Sequence, residues 1–427
     1  MKREILKNIL KKYFKNIEKI NKVCIDSREA SENDLFFAIR GGNNFVEEAL
    51  NKGAYVIYDK KDKNLENEKC YKVDDSIKFL QNLAKEYRKK LDVKIIAVTG
   101  SNGKTTTKDI IFQIFNEKFK TKKTIGNKNN HIGMPYTLLN AEEDDEFLIL
   151  EFGMSNLGEI DLLANISKPD IGVITNIGES HLEYLKTKEN VFKAKTEIIP
   201  HSKKVVVNGD DFYLSKLDDK KVIKIGRNGN ISILEIEIKN EYTYFKLKID
   251  EKEYKFTTNL YGVHNVYNIV TAIQIAVLYG IEIEDIKKII NNLTLTSMRF
   301  EVLNINNNIY INDAYNASPI SMKAALETFD NLYNDRYKIV VLGDMLELGE
   351  NSKKYHEDLA YILEKINIKE IYLYGDEMQY LYEKLKDKLN VRYFINKEEI
   401  KMILGSKEEK LAVLLKGSRG MKLEEIL

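Results

Sequence analysis

The stretch KIIAVTGSNGKTTTKDIIFQIF, Lys94 to Phe115, constrains the fold more than any other part of the chain. It opens with a short apolar run of the kind required of a strand buried on both faces. After Thr107 the apolar positions return at helical spacing. Between the two lies GSNG, a turn that small residues form with least strain. Strand, glycine turn and helix N-terminus in succession aim backbone N–H groups and the positive end of the helix dipole at one point, where an anion belongs. Lys104 is placed to neutralise terminal phosphates and the Thr105 hydroxyl to ligate Mg²⁺. Thr99, Gly100, Ser101, Asn102, Gly103 and Thr106 complete the cradle. The spacing departs from GxxxxGK[ST], because Val98 stands where the first glycine of that pattern falls. The element still predicts a nucleotide triphosphate site carried by a parallel sheet.

The same rhythm continues on either side. FLILEFG, DIGVITNIG and KKVVVNG read as further strands of that sheet, alternating with helical stretches. Before it, VCIDS, DLFFAIRGG, AYVIYD and CYKVDD read as strands and Ile77 to Lys90 as a helix, which makes a small α/β domain. After it, ISILEIEI, YTYFKLKI and EYKFTT alternate in strand fashion as an antiparallel meander, followed by the helix HNVYNIVTAIQIAVLYG. The last third resumes with IYINDA, KIVVLGD, EIYLYG, VRYFI and LAVLLKG, separated by helices. A chain of 427 residues, at roughly 150 residues per domain, is expected to form about three domains. The fold class is α/β: a small N-terminal α/β domain over residues 1–88, a central parallel-sheet, P-loop-like mononucleotide-binding domain over 89–298, and a Rossmann-like C-terminal domain over 299–427.

Composition narrows the partners. Apolar residues make up 43% and charged residues 31%, with a formal net charge of +1, which excludes a disordered chain and a general nucleic-acid-binding surface. Cys24 and Cys70 form neither a disulfide framework nor a CxxC zinc site, so a reducing cytoplasm is expected, with Cys24 a small buried hydrophobe. The N-terminal MKREILKNILKKYFKNI places Ile5, Leu6, Ile9, Leu10, Tyr13, Phe14 and Ile17 on one face of an amphipathic helix, read as a plain domain helix. It has no continuous apolar core of the secretory type, and no run of about eighteen apolar residues predicts a membrane span.

Phosphoryl transfer needs charge neutralisation and alignment more than a reactive side chain. Glu151 ends the strand FLILEFG, where ligands of open α/β sheets gather, and is either a Mg²⁺-binding carboxylate or an exposed strand-end acid. His181 follows the next strand in ITNIGESHLEYL; alone it reads as a structural or surface residue, and its position raises the case for a shared site. Lys195 is an anomaly. In NVFKAKTEII, Val191, Ala194 and Ile198 form an apolar stripe, and position 195 falls inside it. A lysine there must snorkel, pair or change its charge state.

The ordered set TGSNGKT, ILEFG, TNIGESHLE, KAKTEI, GVHNVYN, MRFE and NDAYNAS, with DSRE and FFAIRGG near the start, resembles the Mur ligases, ATP-dependent enzymes that build the peptide stem of peptidoglycan. The resemblance spans nearly the whole chain. GNKNNHIGMPYTLLN, LEFGMSNLGEI, DAYNASP, VLGDMLELGENS and LLKGSRG look like the branch that joins D-alanyl-D-alanine to UDP-N-acetylmuramoyl-tripeptide. The DNPR signature of the branch adding the third stem residue is absent.

The resemblance implies roles at matching positions. Lys104 is the phosphate-loop lysine, with Thr105 and Glu151 near one Mg²⁺ and His181 near a second. Lys195 matches a lysine carried as a carbamate, formed with CO₂, whose oxygens suit a hard cation. His264 and Asn265 match an HN pair, with Asn268 near the adenine. Arg299 and Asp313 engage the γ-phosphate and the ribose when the last domain closes. Asp26, Ser27, Arg28 and Phe45 fall in the region that binds the uridine nucleotide. Asn130, Tyr315, Asn316, Lys416, Ser418 and Arg419 line the peptide and dipeptide region. Asn312 and Ser318 depart from the family's usual aspartate and asparagine. The implied partners are the two small-molecule substrates, with no nucleic acid and no membrane span, and the expected state is a monomer. The reaction implied is activation of the tripeptide carboxylate as an acyl phosphate at the expense of ATP, followed by attack of the dipeptide amine. A folylpolyglutamate synthase relative shares the phosphate loop and the carbamate lysine but lacks the DSRE and FFAIRGG region. A nucleotide-regulated scaffold with a decayed site conflicts with the joint presence of Lys104, Glu151, His181 and Lys195.

Overall fold

The computed structural model describes residues 3–60, 65–239 and 242–427. Its elements follow the α/β rhythm. Strands β1 (Val23–Cys24), β2 (Leu35–Ala38), β3 (Tyr55–Tyr58) and β4 (Cys70–Lys72) form a parallel sheet in that order. The next six strands are β5 (Lys94–Thr99), β6 (Thr121–Lys123), β7 (Phe147–Glu151), β8 (Ile171–Ile174), β9 (Lys204–Asn208) and β10 (Val222–Ile225), in the order β10-β9-β8-β5-β7-β6. Then come the antiparallel meander β11 (Ile231–Lys239), β12 (Tyr242–Ile249) and β13 (Lys252–Thr258). The last sheet has β14 (Glu301–Ile305), β15 (Asn308–Asn312), β16 (Tyr337–Gly343), β17 (Glu370–Tyr374), β18 (Val391–Phe394) and β19 (Leu411–Lys416), in the order β14-β15-β19-β16-β17-β18. All its pairings are parallel except that of β14 with β15.

Packing divides the chain into two compact units interleaved along the sequence. One comprises Met1–Thr99, Ile111–Ile174 and Ala194–Val205; the other comprises Gly100–Ile110, Thr175–Lys193 and Val206–Leu427. In the first unit, Ile95, Ile96, Ala97 and Val98 of β5 and Leu148, Ile149 and Leu150 of β7 are fully buried, as strands covered on both faces must be. The helix Ser76–Arg88 starts at Asp75, whose carboxylate accepts from the N–H groups of Ile77 and Lys78. In the second unit, the helix Val263–Leu278 buries apolar residues around nearly its whole circumference. The last sheet is sandwiched between two apolar clusters, one around Leu326, Phe329 and Leu373 and one around Ile339, Tyr372 and Leu411.

Two expectations are corrected. The N-terminal helix runs only over Glu4–Leu10, Met1 and Lys2 lying outside the described residues. Leu6, Ile9, Leu10, Phe14 and Ile17 are all buried as expected. Past Leu10, however, the chain turns so that the Phe14 ring meets Tyr55 edge-on at 5.3 Å, a contact that continued helix was not required to reach. Likewise β2 stops at Ala38, because Arg40 takes φ 52° and starts the 3₁₀ turn Arg40–Phe45. Cys24 is fully buried, and burial pushes its thiol up to about 12. Among the described residues no helix is long and apolar enough to cross a membrane.

Candidate active site

The turn after β5 is built on two glycines in backbone conformations that residues with a side chain rarely adopt. Gly100 has φ 146° and Gly103 φ 80°. A Cβ on Gly100 would lie 1.8 Å from Thr175 Oγ1, and one on Gly103 would lie 2.6 Å from Asn268 Oδ1. The segment following β8 wraps the loop closely. Thr175 Oγ1 donates to Asn102 O at 2.6 Å, Asn102 N–H donates to Asn176 Oδ1 at 3.0 Å, and Ser101 N–H to Asn176 O at 3.0 Å. Ser101 Oγ also accepts from Gly178 N–H at 2.9 Å. Helix Lys104–Asn116 begins at the end of this turn, so its free N–H groups and dipole face the cradle. Lys104 folds its ammonium back onto Gly100 O at 2.8 Å and Ser101 O at 3.2 Å, the carbonyl contacts a phosphate would displace.

The loop is braced from the helix that carries His264, Asn265 and Asn268. Thr107 Oγ1 donates to Asn268 Oδ1 at 3.1 Å, Asn268 Nδ2 to Asn265 Oδ1 at 3.1 Å, and Asn265 Nδ2 to Tyr261 O at 2.8 Å. Asn265 and Asn268 are buried, whereas His264 reaches the surface. Asn268 therefore supports the glycine turn directly.

Residues of the last sheet converge on the same loop. Arg299 donates from Nη2 to Thr105 Oγ1 at 3.2 Å, and its guanidinium carbon stacks 4.0 Å from the centroid of Tyr315. Its Nε is buried and has no hydrogen-bond partner among the described residues. Ser318 caps helix Pro319–Asp330 and donates from Oγ to Asn102 Oδ1 at 3.0 Å. Asp313, just past β15, accepts from Phe300 N–H at 3.2 Å and from Lys416 Nζ at 2.6 Å, while Lys416 also reaches Asn316 O at 3.2 Å. Ser418 Oγ accepts from Leu346 N–H at 2.9 Å, and Arg419 pairs with Glu424.

His181 stands at φ 54° ahead of the short helix Leu182–Leu185. Its Nδ1 lies 2.6 Å from Glu347 Oε2. That hydrogen bond holds the Glu347 carboxyl below its ordinary range against desolvation, and the charge of Lys104 acts in the same direction.

In the other unit, β5, β7 and β8 are parallel neighbours with Glu151 in register with Val98, so Thr99, Glu151 and Ile174 end at one edge of the sheet. Glu151 is buried rather than an exposed strand-end acid. Asn129 Nδ2 donates to its Oε1 at 2.9 Å, and its own N–H donates to Thr124 Oγ1 at 3.0 Å. Lys195 is 1% exposed, as buried as Val191, Ala194 and Ile198 beside it. The side chain does not snorkel. Asn130 turns its Oδ1 onto the N–H groups of Ile132 and Gly133 and so starts the helix Gly133–Leu139. In the 3₁₀ turn after β1, Asp26 and Arg28 form an exposed ion pair at 2.6 Å, which draws the Asp26 carboxyl down to about 2. Ser27 is buried and Phe45 is 49% exposed.

Sequence reading missed Asn129, Thr175, Asn176 and Glu347. Asn129 sits next to Asn130, already singled out, while Thr175 and Asn176 open the quoted TNIGESHLE segment just past β8, where small polar side chains flanking the strand end were the available signal. Glu347 falls inside the quoted VLGDMLELGENS segment, but its pairing with a residue 166 positions away had no signal.

The Glu151 carboxylate and the Thr105 hydroxyl are buried oxygen donors of the chemistry that suits Mg²⁺, each within its own unit. Comparisons with known proteins extend over the whole chain. Residues 98–276 match the Mur ligase middle domain, and residues 298–419 match the Mur ligase, glutamate ligase domain. UDP-N-acetylmuramoyl-tripeptide–D-alanyl-D-alanine ligase of Bacillus subtilis is 38% identical over 96% of this chain and 92% of its own. The ligase of the same name from Rickettsia prowazekii is 34% identical over 95% and 94%. Among solved structures, MurF from Acinetobacter baumannii superposes with TM-score 0.89 at 27% identity, covering 100% of this chain and 97% of that one. MurF ligase from Thermotoga maritima in complex with ADP gives 0.84 at 28% identity, covering 95% and 96%.

Proposed function

The chain belongs to the Mur ligase family, and from that premise we propose that it joins D-alanyl-D-alanine to UDP-N-acetylmuramoyl-tripeptide with ATP, giving the pentapeptide precursor of peptidoglycan. The observation that carries this reading is the similarity to D-alanyl-D-alanine-adding ligases along 96% of the chain. The phosphate loop alone would serve any ATP-driven ligase.

In this reading residues 1–88 bind the uridine nucleotide through Asp26, Ser27, Arg28 and Phe45. Residues 89–298 hold ATP, and residues 299–427 close over it and receive the dipeptide near Asn130, Tyr315, Asn316, Lys416, Ser418 and Arg419. The protein works as a monomer in the cytoplasm. Thr99 to Thr106 cradle the phosphates, and Lys104 leaves its carbonyl partners to neutralise them. His264, Asn265 and Asn268 shape the nucleoside end, and Arg299 and Asp313 meet the γ-phosphate and ribose. Lys195, as a carbamate made when its neutral amine adds to CO₂ and releases a proton, together with Thr105, Glu151 and His181, would hold two Mg²⁺ ions. Bound there, the ions offset repulsion between the triphosphate and the tripeptide carboxylate. That carboxylate attacks the γ-phosphorus and ADP leaves. The dipeptide amine then attacks the acyl carbon, loses a proton and expels phosphate. Water has to be excluded in the interval, or the acyl phosphate hydrolyses and ATP is spent without a bond.

The deciding experiment measures phosphate release and product mass with muramoyl tripeptides carrying lysine or diaminopimelate, with dipeptide acceptors, and with a pteroyl substrate. Release is expected only when tripeptide and D-alanyl-D-alanine are both present. Equal release without the dipeptide, or turnover of the pteroyl compound, would overturn the reading. Glu151→Ala is expected to raise the Mg²⁺ concentration for half-maximal turnover by about tenfold or more. An unchanged metal titration would remove Glu151 from the ligand set.

A further inference from the structure

Two left-handed non-glycine residues face each other in the second unit. His181 has φ 54° and Glu347 has φ 64°, a backbone region that such residues enter only where their surroundings over-determine it. Besides the side-chain contact at 2.6 Å, Glu183 N–H donates to Glu347 O at 3.2 Å. Gly349, at φ 65°, packs so tightly that an added Cβ would lie 3.1 Å from Glu183 Cα. The loop that presents Glu347 is itself suspended. Met345 N–H donates to His356 Nε2 at 3.0 Å, Leu346 N–H donates to Ser418 Oγ at 2.9 Å, and Ser418 N–H donates to Asp344 O at 3.0 Å. Buried His356 in turn meets Ser352 O through Nδ1 at 2.8 Å, which fixes its tautomer.

An ionised carboxylate only accepts, so the proton between Glu347 and His181 resides on Nδ1. Nε2 is then the ring nitrogen with a lone pair to offer. We propose that Glu347 is a positioning residue of the ligase: it sets the tautomer and orientation of the His181 ring, and does so only while the loop Asp344–Gly349 is docked on the segment Gly178–Leu185. This rests on the reading of His181 given above. A carboxylate behind a ligating imidazole is the usual way to orient such a ring. Here the carboxylate arrives from the last sheet, so the ring is set by the same docking that brings Arg299 to Thr105.

The test uses the full chain labelled with ¹⁵N-histidine, free of nucleotide and metal, at a pH where imidazoles are neutral. His181→Gln assigns the ring among the five histidines. Wild type is expected to show Nδ1 protonated and Nε2 unprotonated. Glu347→Ala and Gly349→Ala should both shift the ring toward the Nε2–H form. Glu347→Gln, which can still accept, should retain the wild-type pattern. In turnover, Glu347→Ala should lower kcat by about 10- to 100-fold with KM for D-alanyl-D-alanine unchanged within about twofold, and Glu347→Gln should recover most of the loss. An unchanged tautomer in Glu347→Ala, or equal loss in the alanine and glutamine variants, overturns the proposal. Full turnover in His181→Gln would overturn the assigned role of His181 instead, with the ring spectra still deciding the contact.

Discussion

Lys195→Met is expected to lower turnover by about three orders of magnitude or more, while the protein folds at least as well as wild type, and bicarbonate is not expected to restore activity. Methionine keeps most of the volume and the apolar stem, so the variant separates the amine's chemistry from a packing defect. Lys195→Ala should lose activity equally, with some stability lost to the cavity. At 1% exposure the side chain lies on the buried stripe of Val191, Ala194 and Ile198, where taking an ammonium out of water carries a desolvation cost. A neutral amine is the form that adds CO₂, and the product exchanges a cation for an anion with two oxygen donors. Carbon-13 NMR of the wild-type protein in labelled bicarbonate should therefore show one protein-bound carbamate that Lys195→Met lacks. Wild-type turnover in Lys195→Met, or no such resonance, would remove the carbamate role.

Gly100→Ala is expected to destabilise the protein by about 3–5 kcal/mol and to abolish measurable ATP binding. Two effects add. The backbone at φ 146° is open to glycine and strained for any residue with a side chain. The new methyl would also lie 1.8 Å from Thr175 Oγ1, so Thr175 has to move, and with it goes the 2.6 Å hydrogen bond to Asn102 O that shapes the turn. Removing the hydroxyl should relieve part of the clash. The double variant Gly100→Ala/Thr175→Ala is thus expected to recover some thermal stability relative to Gly100→Ala, although Thr175→Ala alone is destabilising. Thermal melts with and without ATP, and calorimetric titration of ATP, provide the readout. If Gly100→Ala melted within a degree of wild type and still bound ATP, the close approach of Gly100 and Thr175 would not be what forms the cradle.

How far the sequence reaches depends on where a residue sits in its sheet. Central strands such as β5, β7 and β16 are buried on both faces and read as unbroken apolar runs. The three strands that escaped reading, β6, β10 and β14, all lie at sheet edges. Their sequences TKK, VIKI and EVLNI are mostly half-buried and partly polar. An edge strand pairs on one side only, and polar residues there help to block further pairing, so the apolar signal is weak. The N-terminal helix erred in the opposite direction. Its apolar spacing continued past Leu10, but Phe14 and Ile17 are buried through a turn and not through further helix.

The candidate site divides along the same physical line. The glycine turn, Lys104 and Thr105 were legible because strand, turn and helix start are local events encoded within about fifteen residues. The position of Lys195 in an apolar stripe was legible as a conflict; the neighbours that decide between a snorkelling ammonium and a buried amine come from elsewhere in the fold. The sequence alone determined the α/β class, the phosphate cradle and the identity of the chemical groups, since periodicity and composition carry those directly. Only the tertiary structure decided that Asn268 props up the cradle, that Arg299 is clasped by Tyr315 on its way to Thr105, and that Glu347 meets His181. Such contacts join residues far apart in the chain, and their strength depends on distance, burial and backbone strain, none of which a linear pattern contains.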